Sequence, residues 1–146
     1  LAERDQPVIE LREPRTTRFW MTLGEAVRWI ARRIEVMEPA SVYVPVLPAF
    51  RLEDLARAIA PTATIRWTGL GAIEKVHESM LAWDESRYAT RICDPQTLDY
   101  YRIGSEPTGG AEWEYRSDTA PLLSVDDLRA RLPDALDDAR LEGAAA

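Results

Sequence analysis

Cysteine, lysine and histidine each occur once in this chain of 146 residues, as Cys93, Lys75 and His77. A single thiol excludes an intrachain disulfide and a cysteine-based zinc site, so a reducing, cytoplasmic setting is expected. One histidine without a cysteine motif gives no basis for a metal centre. No apolar run approaches the roughly 18 residues that a bilayer-spanning helix requires, and no signal peptide is read in the charged start. The seven glycines are scattered. None forms the Gly-x-Gly-x-x-Gly or Gly-x-x-Gly-x-x-Gly turn that lets a backbone approach a pyrophosphate. Tyr-x-x-x-Lys is missing as well, because Gly71 stands four residues before the only lysine. The chain by itself is therefore expected to bind no dinucleotide cofactor and to carry no catalytic residue.

What remains is an ordinary globular composition, 46% hydrophobic and 29% charged, sufficient for one domain with its own core and too short for two. The net charge of −7 argues against a nucleic-acid partner, which calls for a concentrated basic face. The chain opens on Leu1-Ala2-Glu3-Arg4-Asp5, without an initiator methionine. A portion of a longer protein is expected.

Along the chain, residues 7–12 alternate apolar and polar and predict a short strand ended by Pro14, followed by a loop over 15–21. Thr22 and Glu25 form a capping-box pair ahead of Leu23, Ala26, Val27, Ile30, Ala31 and Ile34 at helical spacing. The spacing predicts a helix over 23–37 with that stripe facing the core and Arg28, Arg32 and Arg33 facing water. A strand over 41–44 stopped by Pro45, a helix from Leu52 to the residue before Pro61, and a strand over 64–68 follow. Gly69 and Gly71 mark a turn, and 74–81 has the periodicity of a short helix. The β-prone pieces 88–93 and 99–103, parted by Asp94-Pro95, predict a hairpin. A last helix begins near Ser124, capped by Ser124 and Asp127, and is expected to stop before Pro133. The acidic and alanine-rich stretch 134–146 is read as a frayed tail beyond a folded unit over 1–133. The five tryptophans are expected mostly in the core or at a lobe interface. The class is α/β, with short strands and three or four helices and no complete doubly wound sheet.

Four stretches together carry a resemblance: PRTTRFWMTLGEAVRWI (14–30), SVYVPVLPAFRLEDLARAIAP (41–61), TGLGAIEKVHESMLAWDESRYA (68–89) and YRSDTAPLLSVDDLRARL (115–132). In this order they resemble the substrate-side portion of UDP-N-acetylglucosamine 4,6-dehydratases and related polysaccharide-biosynthesis proteins, which are extended short-chain dehydrogenases/reductases. The resemblance implies a small C-terminal nucleotide-sugar-binding lobe with the Rossmann half absent. The complete family enzyme uses NADP or NAD to make a 4-keto-6-deoxy sugar. Arg18 matches the family arginine on the UDP diphosphate, a task suited to a planar fork of donors; the plainer alternative is an arginine capping loop carbonyls. Glu74 matches the glutamate that accepts from the ribose hydroxyls; the alternative is a first-turn glutamate favoured by a helix dipole.

At Gly71 the family has a second diphosphate-binding arginine, followed by Pro-Gly, where this chain reads Gly71-Ala72-Ile73. Loss of one charge-assisted phosphate contact weakens binding by roughly ten- to a hundredfold. The expected partners are accordingly a weakly held UDP-sugar, and either the missing Rossmann half, a separate subunit that supplies it, or a second copy of the chain. Arg66 and Arg87 are the candidate substitutes for the lost arginine. The competing functional class is a non-enzymatic remnant or assembly subunit that keeps the fold to pair with a separate Rossmann subunit.

Overall fold

The computed structural model describes the backbone of residues 7–143 and side chains within 7–137; the charged start and the last alanines of the tail lie outside the described residues. The elements run β1 (Val8–Leu11), β2 (Thr17–Phe19), α1 (Leu23–Val36), β3 (Val42–Pro45), β4 (Ala49–Arg51), α2 (Leu52–Ile59), β5 (Thr64–Trp67), β6 (Ser79–Leu81), β7 (Ala89–Ile92), β8 (Tyr100–Ile103), β9 (Tyr115–Arg116) and α3 (Val125–Gly143). This is the expected α/β mixture of short strands with three α-helices.

The strands form small sheets rather than one. β1 and β5 pair in parallel, and β2 pairs antiparallel with β4. β3, β8 and β7 make an antiparallel three-stranded sheet that contains the predicted hairpin, and β6 pairs with β9. The β2–β4 ribbon separates two cores, because successive side chains of a strand leave on opposite faces. Phe19 and Ala49 go to one core, with Val44, Leu81, Tyr115 and Ala120. Trp20 and Phe50 go to the other, with Ala58 and Leu128 beneath α2 and α3. The Trp20 and Phe50 rings meet edge to face, with centroids 5.6 Å apart.

Several sequence expectations are corrected. Residues 17–19 are a strand inside the expected loop, held by β4. Residues 74–81 are not helical: the stretch is irregular until β6, where pairing with β9 overrides a weak helical period. α3 does not stop before Pro133 but runs through it to Gly143. Leu132 and Ala135, on either side of the proline, pack on the same core, and that burial offsets the hydrogen bond a proline removes.

The largest correction concerns α1. The capping box is formed, with the Thr22 hydroxyl accepting from the Glu25 N–H and the Glu25 carboxylate accepting from the Thr22 N–H. Yet the helix is turned the other way from its pattern. Leu23, Val27, Ile30 and Ile34 are 44%, 57%, 52% and 66% exposed, whereas Trp29 and Arg33 are buried. The Arg33 guanidinium is paired with Asp94 and stacks over the Tyr100 ring, 4.3 Å from its centroid. An arginine tolerates burial when its charge is matched and its plane is stacked. Of the tryptophans, Trp20 and Trp29 are buried and Trp113 packs on the first core, while Trp67 and Trp83 are exposed.

Candidate functional site

β2 holds Arg18 at its centre, opposite Phe50 of β4, and the loop leading to β6 wraps around its guanidinium. Nη1 donates to the carbonyls of Thr17 (2.7 Å) and Val76 (3.2 Å), and Nη2 donates to the carbonyl of Lys75 (3.0 Å). Nε lies 3.4 Å from a Glu78 carboxylate oxygen. Both Nη1 hydrogens and one on Nη2 thus have acceptors, while the Glu78 carboxylate balances the charge beside Nε. The same loop is tied to β2 by the Thr17 N–H donating to the Val76 carbonyl, 3.0 Å.

Glu74 stands one residue before the carbonyl that Arg18 holds. It closes a tight turn: its N–H donates to the Gly71 carbonyl (3.1 Å), and its carboxylate accepts the Gly71 N–H (2.8 Å). No helix begins there, so a helix dipole plays no part in its placement. A Cβ at position 71 would sit 3.1 Å from the Glu74 carboxylate oxygen. Glycine at 71 therefore allows the carboxylate to fold back onto its own turn, an arrangement that a larger residue crowds.

Arg18 and Glu74 are therefore brought together along one loop. Arg66 and Arg87 are not part of that group: Arg66 is paired with Glu10 across the β1–β5 register, and Arg87 with Glu112. The cation beside the Gly71 turn is Arg12, whose Nε lies 3.6 Å from Glu74 Oε1, with more than half of its side chain exposed. Backbone bonds from Thr68 N–H to the Leu11 carbonyl and from Gly69 N–H to the Arg12 carbonyl, both 2.9 Å, fasten the end of β1 to the start of this turn. Sequence reasoning missed Arg12. Its signal was the alternating 7–12 stretch, which marks a strand without naming the strand's partner.

A hydroxyl knot underlies the loop. The Thr17 hydroxyl is 2.6 Å from that of Ser117 and 2.9 Å from His77 Nδ1. Ser117 Oγ accepts the Glu78 N–H at 3.0 Å. His77 Nε2 lies 3.7 Å from Asp118. Burial pushes the Asp118 carboxyl upward, but its hydrogen bonds with Arg116 and the fields of His77 and Arg116 outweigh this and leave it below its ordinary value. Thr17, His77 and Ser117 thereby lock β2, the 75–78 loop and β9 to one another.

The dinucleotide cofactor of the resembling enzymes needs a free helix N-terminus behind a glycine turn. The described residues do not fit it. Glu25 and Asp127 occupy the N-termini of α1 and α3, and Glu53 and Asp54 stand in the first turn of α2. Carboxylates at all three ends repel a pyrophosphate. The glycine turn after β5 leads into the Gly71–Glu74 turn and not into a helix.

Comparison with known proteins places the chain in a family. A family model described as "Polysaccharide biosynthesis protein" matches residues 2–98, more than half of the chain. The UDP-N-acetylglucosamine 4,6-dehydratase (inverting) of Campylobacter jejuni subsp. jejuni serotype O:2 is 33% identical over 78 residues, 53% of this chain and 23% of that protein. A UDP-glucose 4-epimerase of Rickettsia conorii is 30% identical over 112 residues, 74% of this chain and 30% of the epimerase. Among solved structures, Pen from Bacillus thuringiensis superposes with a TM-score of 0.74 at 24% identity, covering 92% of this chain and 42% of Pen; that likeness speaks to the fold. The chain thus spans 23% and 30% of these two curated relatives. On the family match over residues 2–98, the chain belongs to the polysaccharide biosynthesis protein family.

Proposed function

We propose that this chain is the C-terminal nucleotide-sugar-binding lobe of a UDP-N-acetylglucosamine 4,6-dehydratase-like protein of surface polysaccharide biosynthesis, working in the cytoplasm. In this reading Arg18 contacts the UDP diphosphate and Glu74 the ribose hydroxyls, and the lobe extends past the expected boundary at 133, since α3 continues to Gly143 with Ala135 on the core. Arg12 supplies the second cation at the turn where Gly71 carries none. The cofactor, NADP or NAD, and the catalytic groups belong to a dinucleotide-binding half that this chain does not contain. The observation behind the reading is the place of Arg18, whose guanidinium reaches the loop that bears Glu74; its bonds to the Thr17, Val76 and Lys75 carbonyls are those of the plainer capping role, and diphosphate binding is what the calorimetry below must add.

Titration calorimetry with UDP tests it. The wild-type chain should give measurable binding, lost in Arg18→Ala and weakened about tenfold in Arg12→Ala, the cost of one charged hydrogen bond. Arg12 lies outside the wrapped loop, so its variant keeps the fold and isolates the charge. Absence of binding at millimolar UDP overturns the reading and leaves the second one, an assembly subunit without a nucleotide site, which the loss of a guanidinium at position 71 favours.

A further inference from the structure

Both arginines of the candidate site are already matched by a carboxylate of the same site. Arg18 Nε stands 3.4 Å from Glu78, and Arg12 Nε stands 3.6 Å from Glu74. The two pairs are built differently. Arg18 is held by three backbone carbonyls, so the loop fixes its position. The Arg12 side chain is 57% exposed, and among the described residues Glu74 is its only side-chain partner. At 3.6 Å this contact is an ion pair and not a hydrogen bond. The donors of the Arg12 guanidinium therefore stay open to another acceptor.

Glu74 is not free to swing aside. Its Oε2 accepts the Gly71 N–H at 2.8 Å, across a turn closed by the Glu74 N–H on the Gly71 carbonyl. The Arg12 backbone is fixed as well, since its carbonyl accepts the Gly69 N–H and that of Leu11 the Thr68 N–H. The carboxylate is thus built into the turn, beside the more accessible of the two arginines. Arg12 and Glu74 cancel to zero charge, as do Arg18 and Glu78, in a chain of net charge −7. An anion that approaches Arg12 meets a carboxylate next to it. Unit charges about 4 Å apart in water alter a binding constant roughly fivefold. Only a ligand that brings hydrogen-bond donors of its own relieves that repulsion. Oε1 has lone pairs to accept them, because the Gly71 N–H takes Oε2.

We infer that Glu74 is the selectivity-determining residue of this site: its carboxylate screens Arg12 from free phosphate anions and admits a diphosphate that carries hydroxyl donors within reach of Oε1. That role rests on the proposed function for the identity of the ligand, a nucleoside diphosphate with its ribose. It adds the means by which pyrophosphate alone is refused.

Inorganic pyrophosphate and UDP, titrated into the chain at one salt concentration, test the screen. Glu74→Gln removes the charge and keeps an oxygen for the Gly71 N–H, so the turn persists; unchanged circular dichroism checks this. Pyrophosphate should bind Glu74→Gln about fivefold tighter than wild type. UDP should bind it no tighter, because the ribose hydroxyls lose a charged acceptor. The gain should vanish in the double variant Arg12→Ala/Glu74→Gln, which locates it at Arg12. Three results overturn the screen: pyrophosphate binding unchanged by Glu74→Gln, a gain that survives the loss of Arg12, or equal gains for pyrophosphate and UDP. UDP binding by wild type without a pyrophosphate gain in Glu74→Gln keeps the nucleotide site and removes the screen. A pyrophosphate gain at Arg12 without UDP binding keeps the screen and removes the nucleotide site.

Discussion

α1 and α2 have the same kind of amphipathic pattern and meet different fates. In α2, Ala56 and Ala58 are buried, and Leu52 and Leu55 pack on the core that also holds Trp20, Phe50 and Leu128. In α1 the apolar stripe looks outward, and the body is held instead by a tryptophan and a charge-matched arginine. A periodic stripe therefore states that a face seeks cover. It does not state whether the cover lies in the same chain.

The sharpest way to break this comparison is to truncate both sides of it. Leu128→Ala, at a side chain with no exposure, should cost about 3–4 kcal/mol in a urea titration, as large-to-small changes in a packed core do. Ile30→Ala in α1 should stay within about 0.5 kcal/mol for the chain alone. A large loss at Ile30 would mean that the stripe is covered after all. Next comes the polar anchor of α1. Arg33→Ala should lower the urea midpoint by less than Leu128→Ala, since Asp94 loses its buried guanidinium partner but keeps the Gln96 N–H and the Thr97 hydroxyl.

Its pH signature is specific. The Asp94 carboxyl is held below its ordinary value by the Gln96 N–H first, then the Thr97 hydroxyl and the Arg33 guanidinium. A depressed carboxyl stabilises the fold above its unfolded pKa, and that contribution is lost as pH falls through the folded value. Urea midpoints measured from pH 6 down to pH 3 should therefore decline less steeply in Asp94→Asn than in wild type. A small loss is expected at the helix start. Thr22→Ala, which removes one half of the capping box, should cost about 1 kcal/mol, read as a lowered thermal midpoint.

Local chemistry made much of the fold legible. The Thr22–Glu25 cap and the 88–93/99–103 hairpin depend on residues close in sequence, so their signals are local; the strands at 8–11 and 64–67 are legible from their own composition, although their pairing with each other is not. Where a distant partner decides, the pattern misleads. β6 looks helical until β9 pairs with it, and α3 passes Pro133 because core contacts hold both of its sides. Arg33 was assigned to water because nothing in its neighbourhood announces Asp94, which lies 61 residues away. The site divides in the same way. Arg18 and Glu74 stand in stretches that carry the resemblance, and Arg18, on β2, bonds to the backbone of the loop that bears Glu74. Arg12 became visible only when β1 was found beside β5.

The contact between Thr17 and Ser117 spans 100 residues, and its consequence is one of timing. A chain emerging from the ribosome displays β2 and its partner β4 long before the hydroxyl that ties them to the end of β9 has been made, and joining such remote segments carries a loop-closure cost that adjacent segments escape. The hairpin and the capped helix are free to form early, whereas the strand bearing Arg18 waits for the last third of synthesis before it is clamped.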